Sequence, residues 1–407
     1  MGRERMVSEV DRILGGLDRR LSRRDLLRRA GRGSAYLGVM AFLAACGVQG
    51  QRREGGDELE PLPPETGELI MANWPLYIDK DGPVSPTIES FQEQLDTTMQ
   101  YQVVINDNEE FFGTIREPLS RGQSTGYDII VISDWVIEKM ARLGYLERLH
   151  HDRLPNFEAN ALDKFKDPVY DPGNAHSIPW AAGITGIGYD IELTGRELTS
   201  IHDLFDPAFA GRVGMFLEMR DTFNFAFLAS GIEPETATLE DAETAQQLLL
   251  EHRDNFRGFY GNDYADQLAT GSLAVSMAWS GDVFALQLDN PNLRFVLPEE
   301  GGTRWTDNMA IPAGAEHPTD AHNFMNFVYD TRIAANITEW VWYESPADIK
   351  AIVEEDAQNG GNLLQKLASS ELVFPPEDVV ARTHNYRLLD TEEEQVWNNL
   401  FQEVTQG

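Results

Sequence analysis

Tyr127-Asp128-Ile129-Ile130-Val131-Ile132 is apolar at consecutive rather than alternate positions and ends in Ser133-Asp134-Trp135. A strand that is apolar on both sides needs cover on both faces, the situation of a strand inside an α/β sheet. The pattern repeats upstream. Apolar runs at 69–72 and 101–105 are each followed by a helix-like stretch, 86–94 and 109–117, and 136–143 plays the same part after 127–132. Ser85 is placed to cap the first helix, with Pro86 at its first position, where a missing N–H does no harm. This alternation predicts an α/β fold. In open α/β sheets ligands gather beyond the carboxyl ends of strands, and Trp74, Ser133 and Trp135 lie at such ends.

A second α/β unit is predicted downstream. Residues 213–217, 274–278 and 295–297 read as strands. Thr238-Leu239-Glu240-Asp241 has capping-box spacing ahead of a helix with Ala242, Ala245, Leu248 and Leu249 on one face. Between the units, 156–175 is rich in Asp, Asn and Pro and reads as a surface loop. Gly183-Ile184-Thr185-Gly186-Ile187-Gly188-Tyr189 fits neither phosphate-loop nor dinucleotide spacing. It reads as a crossing between two lobes, with Asn308-Met309-Ala310-Ile311-Pro312 as the return. Ala321, Phe324, Met325 and Val328 have helical spacing. A second capping box is expected at Thr391 to Glu394, opening a helix that buries Val396, Trp397, Leu400 and Phe401.

A chain of 407 residues, 42% of them apolar, is long enough for two lobes. Its 33 basic and 67 acidic residues give a formal charge of −34. Nucleic-acid binding needs clustered Lys and Arg, so this balance argues against it. An acidic surface attracts cations within a Debye length and favours solubility.

With Cys46 as its one cysteine, the chain has no internal disulfide. The setting of Cys46 gives it another use. Ser22-Arg23-Arg24-Asp25-Leu26-Leu27-Arg28 precedes a mostly apolar stretch, 35–45, too short to span a bilayer. A basic region, a short apolar region and small residues describe an export signal, here of the twin-arginine type. Leu43-Ala44-Ala45-Cys46 resembles the bacterial lipobox, in which the cysteine is lipidated. Residues 1–46 are therefore expected to be a lipoprotein signal peptide, and 47–67, polar and proline-containing, a flexible tether.

Aromatic residues and isolated carboxylates recur at strand ends. Asn73-Trp74-Pro75-Leu76-Tyr77 follows the run at 69–72, Glu218-Met219-Arg220-Asp221 the run at 213–217, and Trp279-Ser280-Gly281-Asp282 the run at 273–278. Trp305-Thr306-Asp307 follows soon after. Aromatic faces attract ammonium by ~0.5–2 kcal/mol each, and carboxylates fix where the charges sit. Together they suit an elongated organic cation. Catalytic signatures are poor by comparison. Gly-x-Ser-x-Gly and His-Glu-x-x-His are absent, and Cys46 is spoken for. His150-His151 has no third ligand at metal-binding spacing. Glu218 and Asp221 are neighbours in sequence, a poor arrangement for carboxylates acting across a glycosidic bond. Neither enzyme activity, metal nor cofactor is expected.

At these residues the chain resembles the polyamine-binding proteins of bacterial ABC importers, the spermidine/putrescine-binding type. The likeness runs from about Leu69 to the C-terminal region. It is carried by Asn73-Trp74-x-x-Tyr77, Tyr127 to Ser133, Ser177-Ile178-Pro179-Trp180, Trp279-Ser280-Gly281, and Glu300 through Trp305-x-Asp307 to Pro312. The resemblance implies a type II periplasmic-binding-protein fold, two lobes that are each a mixed sheet flanked by helices, with the ligand in the cleft between them. Lobe 1 is expected to be 68–184 plus 308–352, and lobe 2 to be 185–307 plus 353–407. Carried over, Trp74, Tyr77, Trp135, Trp279 and Trp305 line a slot around a methylene chain. Glu218, Asp221 and Asp307 bind ammonium groups, and Ser133 and Tyr343 add hydrogen bonds.

The chain departs from the family pattern in three places. Pro75 stands where relatives often have a hydroxyl residue, and Trp135 where a tyrosine is common. A C-terminal glutamine has only Asn385 or Tyr386 as its counterpart. The implied partners are a polyamine, a permease and ATPase, and the membrane through lipid on Cys46. The implied state is a monomer on the outer face of the cytoplasmic membrane. Left open are another cationic or amino solute (thiamine-like, aminophosphonate, ferric ion), a surface sensor and an exported hydrolase.

Overall fold

The computed structural model describes residues 59–359 and 361–406. The expected signal peptide, its arginine pair and Cys46 lie outside them. Among the described residues, ten strands form one sheet. They are β1 (Glu68–Asn73), β2 (Thr98–Val103), β3 (Ile129–Ser133), β4 (Ser177–Asp190), β5 (Val213–Phe216), β6 (Phe256–Tyr260), β7 (Val275–Trp279), β8 (Leu293–Val296), β9 (Gly302–Ala310) and β10 (Thr383–His384). The main order is β2-β1-β3-β9-β4-β7-β5-β6, with β10 beside β9 and β8 beside β4. β3 is buried at all five positions, as its unbroken apolar run requires.

Two parallel groups stand at the two ends of this order. β1 pairs in parallel with β2 and β3, and β5 in parallel with β6 and β7. β4 and β9 run antiparallel between them. β4 is a single strand of 14 residues, buried throughout. Its first half faces β9 and its second half faces β7 and β8, so the expected glycine-rich crossing is real backbone shared by both groups. Two hydrophobic cores match the two groups. The first holds Leu69, Met71, Phe91, Ile130, Val131 and Phe324; the second holds Met215, Phe223, Phe227, Val275, Met277 and Trp397.

Several expected boundaries move. Expected together in the second lobe, residues 353–407 divide instead. Val353, Ala357, Leu364, Leu367 and Val373 pack in the first core, and Leu389, Trp397, Phe401 and Val404 in the second. The tether expected to reach 67 is already fixed before it. Thr66 N and Oγ1 each donate to Asp320 Oδ2 at 2.9 Å, Gly67 N donates to Asp320 Oδ1 at 3.2 Å, and Thr319 Oγ1 donates to the Pro63 carbonyl.

The expected loop over 156–175 contains a short helix, Pro155–Asn160, whose buried Phe157 packs on Tyr329 at 5.1 Å. The last helix, Thr391–Gln406, is capped one residue early. Asp390 Oδ1 accepts from the N–H groups of Glu392 and Glu393 at 2.9 Å, and Glu393 Oε2 accepts from Asp390 N at 3.3 Å. Its buried face is Glu394, Trp397, Phe401 and Val404, leaving Val396 exposed. Elsewhere the caps are where the sequence puts them: Ser85 Oγ accepts from Ile88 N at 3.2 Å, and Thr238 with Asp241 closes a capping box. Among the described residues no helix is long and apolar enough to cross a membrane.

Candidate ligand-binding site

Three strands deliver their ends to one place. β3 ends at Ser133 and feeds the helix Asp134–Arg142. β5 leads through Leu217 and Glu218 into the helix Met219–Ala229, and β7 ends at Trp279 before the helix Ser280–Leu286. At each join the chain turns from strand to helix, and the side chains at the turn face a cleft of about 1120 Å³, part of it open to solvent. β9 crosses the floor with Trp305 and Asp307, and β1 hands over Trp74 and Tyr77.

Three aspartates project into this cleft, and each accepts a hydrogen bond from a tyrosine. Asp307 Oδ2 accepts from Tyr77 Oη at 2.8 Å, and its Oδ1 from Ser133 Oγ at 2.7 Å. The second bond follows from the sheet, because Ser133 and Asp307 are register partners of β3 and β9. Asp282 Oδ1 accepts from Tyr343 Oη at 2.9 Å and its Oδ2 from Tyr264 Oη at 3.0 Å. Asp221 Oδ2 accepts from Tyr386 Oη at 2.8 Å. Its Oδ1 is buried with no hydrogen-bond partner among the described residues. A fourth carboxylate, Glu218, accepts from Asn108 Nδ2 at 3.3 Å.

Burial sets the electrostatics. It pushes Asp307 and Asp221 up to about 6, against the pull of their hydroxyl donors. Burial, then the charges of Asp107 and Asp221, raise Glu218 well above the carboxylate range. Tyr77, Tyr343 and Tyr386 are raised too, first by burial and then by the aspartate beside each, so they stay protonated donors. Burial therefore makes ionising these carboxyl groups costly, a cost that a neighbouring cation would relieve. The hydroxyl donors hold these acceptors already oriented toward the cleft.

Aromatic rings make the walls. Trp305 and Tyr343 meet at 5.2 Å and Tyr343 and Tyr77 at 5.7 Å, both edge-on. Trp279 packs on Phe216 at 4.6 Å, and half-buried Trp74 is fixed by Nε1 donating to the Val131 carbonyl at 2.9 Å. Two glycines make room for these rings. Gly183 lies opposite Trp305 in the register, and a Cβ there would sit 2.3 Å from the indole. A Cβ on Gly281 would sit 2.7 Å from the Tyr343 ring.

Of the expected site residues, Trp74, Tyr77, Ser133, Glu218, Asp221, Trp279, Trp305, Asp307 and Tyr343 all line the cleft. Trp135 does not. It is buried elsewhere, with the Arg220 guanidinium 4.3 Å above its ring. Strand alternation would put 133 and 135 on one side, but the helix begins at Asp134 and turns Trp135 away. Of the two C-terminal candidates, Tyr386 reaches the site, while Asn385 uses its N–H on Glu235. Asp282, Asn108, Phe216 and Tyr260 also line the cleft without having been expected there. Asp282 was legible: Trp279-x-x-Asp282 repeats the spacing of Glu218-x-x-Asp221 at the start of a helix. Away from the cleft, Glu233, Glu235 and His384 bring possible metal-ligand atoms within 4.8 Å of one another.

Residues 124–364 match the model of the bacterial extracellular solute-binding protein family. The chain is 30% identical over 281 residues to spermidine/putrescine-binding periplasmic protein 1 of Haemophilus influenzae, covering 69% of this chain and 74% of that one. It is 25% identical to the putrescine-binding periplasmic protein PotF of Escherichia coli, over 85% of this chain and 93% of that one. Among solved structures, a protein assigned to a spermidine/putrescine ABC transporter of Listeria monocytogenes superposes with a TM-score of 0.73. That match has 27% identity and covers 83% of this chain and 99% of the other. Its sheet, its interlobe cleft and these matches agree: the chain belongs to the bacterial extracellular solute-binding proteins, a family of transport rather than of catalysis.

Proposed function

We propose that this chain is the substrate-binding component of an ABC importer that captures a linear polyamine, putrescine or spermidine, outside the membrane and hands it to the permease. One observation carries the reading: three aspartates, each held by a tyrosine hydroxyl, share a single cleft with the rings of Trp74, Trp279 and Trp305. A polyamine places charges at intervals along an apolar chain. Ammonium groups pair with Asp307, Asp221, Asp282 and Glu218, and methylenes lie against indole. The unpartnered Asp221 Oδ1 gains a donor, and an orphan of this kind otherwise costs about 1–3 kcal/mol. The names of the relatives point to the same solutes.

The lobes of this reading are the two parallel groups with their cores, hinged on β4 and β9 and closing over the ligand. Lipidation at Cys46 after twin-arginine export would hold a monomer at the outer face of the membrane, beside the permease and ATPase.

A thermal-shift panel of putrescine, spermidine, thiamine and Fe(III) tests the solute. At 100 times its dissociation constant a ligand stabilises by about 2.7 kcal/mol. The expected result is a rise with a di- or triamine only, lost in Asp307→Ala and Trp279→Ala. A rise with thiamine or Fe(III) and none with an amine would overturn the reading.

A further inference from the structure

Trp135 is buried and yet forms no part of the cleft wall. Its ring belongs to the first core, while Arg220, stacked on it at 4.3 Å, opens the helix Met219–Ala229 of the second. Arg220 Nη1 donates to the Arg387 carbonyl at 2.7 Å and Nη2 to Glu394 Oε1 at 2.8 Å. Glu394 lies on the last helix, whose Trp397 and Phe401 are in the second core. Its other oxygen, Oε2, meets Lys139 Nζ at 3.0 Å, and Lys139 also meets Glu109 Oε1 at 3.2 Å. Lys139 sits on the helix Asp134–Arg142, which packs in the first core through Val136, Ile137 and Met140. Glu394 is thus gripped by one cation from its own core and one from the other. The grip is largely dry: the side chains of Lys139 and Glu394 are 13% and 7% exposed. Arg142 adds a neighbouring link, Nη1 to Thr391 Oγ1 at 3.1 Å.

We propose that Lys139, Arg220 and Glu394, with Trp135, form a latch across the cleft that sets how long a captured polyamine stays bound, without touching it; this rests on the polyamine-binding reading above. The latch and the site share their elements. Ser133, which donates to Asp307, immediately precedes the helix of Trp135 and Lys139, and Arg220 is the neighbour of Asp221. Closing the lobes therefore brings Lys139 onto a Glu394 that Arg220 already holds. Opening them takes Lys139 away and returns a buried charge to water. Exposed ion pairs contribute little, but losing one partner of a buried, hydrogen-bonded pair acts mainly on the rate of dissociation. These are positioning residues, and a rate, rather than an affinity alone, reports on them.

Stopped-flow kinetics with spermidine on the wild type, Lys139→Gln and Glu394→Gln test the latch. The expected result is a dissociation rate about tenfold higher or more in each variant, which is ~1.4 kcal/mol, with association changed less than about twofold. The double variant should be no worse than the weaker-binding single one, because both break the same pair. Should Glu394→Gln fail to fold, Lys139→Gln alone carries the test. Small-angle scattering of the ligand-free protein gives a readout that needs no polyamine, and the wild type should be more compact than the variants. Unchanged dissociation in folded variants, or equal radii of gyration, overturns the latch. A wild type that binds no polyamine overturns the functional reading instead, and scattering then judges the latch by itself.

Discussion

Asp307 shows how a buried carboxylate is oriented at the residue scale. Its two oxygens accept from Tyr77 and Ser133, its register partner across the sheet is Ser133, and burial still raises it to about 6. Hydrogen bonds orient the carboxylate without neutralising it. The same economy of space explains Gly183. Its backbone is ordinary strand, and it is glycine because the Trp305 ring occupies the place of a Cβ. Gly183→Ala should therefore push the indole into the cleft or tilt it. Overpacking should lower stability by ~1–3 kcal/mol, and the displaced indole should lower polyamine affinity about tenfold or more, ~1.4 kcal/mol, while the variant remains folded. Calorimetric titration beside thermal denaturation checks this, and wild-type affinity in Gly183→Ala would show that Trp305 is no wall of the site. At this scale the sequence was informative because the cleft-lining residues cluster at strand ends, where their types can be read. Trp135 was carried into the slot by the resemblance, but the helix that begins at Asp134 turns its ring into the first core. No local pattern marks where the change from strand to helix falls to within one position.

Elements were legible where one physical signal dominated. The unbroken apolar run of β3 required cover on both faces, and it has it. Gly183 to Tyr189 signalled a crossing, although the glycines hid the continuity of a 14-residue strand. Helix ends were read through their caps, and the last helix shows the limit of that reading. Thr391 and Glu394 have capping-box spacing, but Asp390 and Glu393 have it too, and an Asp-Thr pair followed by three glutamates allows either frame. The structure uses Asp390, and Glu394 rather than Val396 faces inward, where it meets Arg220 and Lys139. Trp397 and Phe401 are buried as expected, so the slip at the cap left the helix face in place, and Val396 was misplaced by its apolar type alone. Asp390→Ala should lower stability by about 1 kcal/mol, the usual worth of an N-cap, and Thr391→Ala by distinctly less. Equal losses in chemical denaturation would return the cap to Thr391. The placement of 353–373 was not legible at all, because which core a helix joins depends on contacts far away in sequence.

Across the whole molecule, the buried carboxylates tie stability, pH and ligand together. Asp307 and Asp221 are raised to about 6 and Asp134 to about 7, all three chiefly by burial. In an unfolded chain such groups release their protons near 3.9. Between these values the folded protein holds protons that the unfolded chain has lost, so ligand-free stability falls as pH rises from about 4 through 7. A shift of two units corresponds to about 3 kcal/mol for a buried group. Self-repulsion of a surface with a formal charge of −34 acts in the same direction, but salt screens it: the Debye length is about 3 Å at 1 M. The buried contribution survives salt. An ammonium group bound at Asp307 or Asp221 favours the ionised form and draws its pKa down, so the complex escapes the loss. Stabilisation by spermidine should therefore grow as pH rises from 5 to 7.5, in high salt as well as low, and binding near pH 6 should release protons to the buffer. Thermal scans across this range, with titrations in buffers of different ionisation enthalpy, measure both effects. An increment equal at pH 5 and pH 7.5, with no proton release, would mean that neither aspartate meets the ligand's charge.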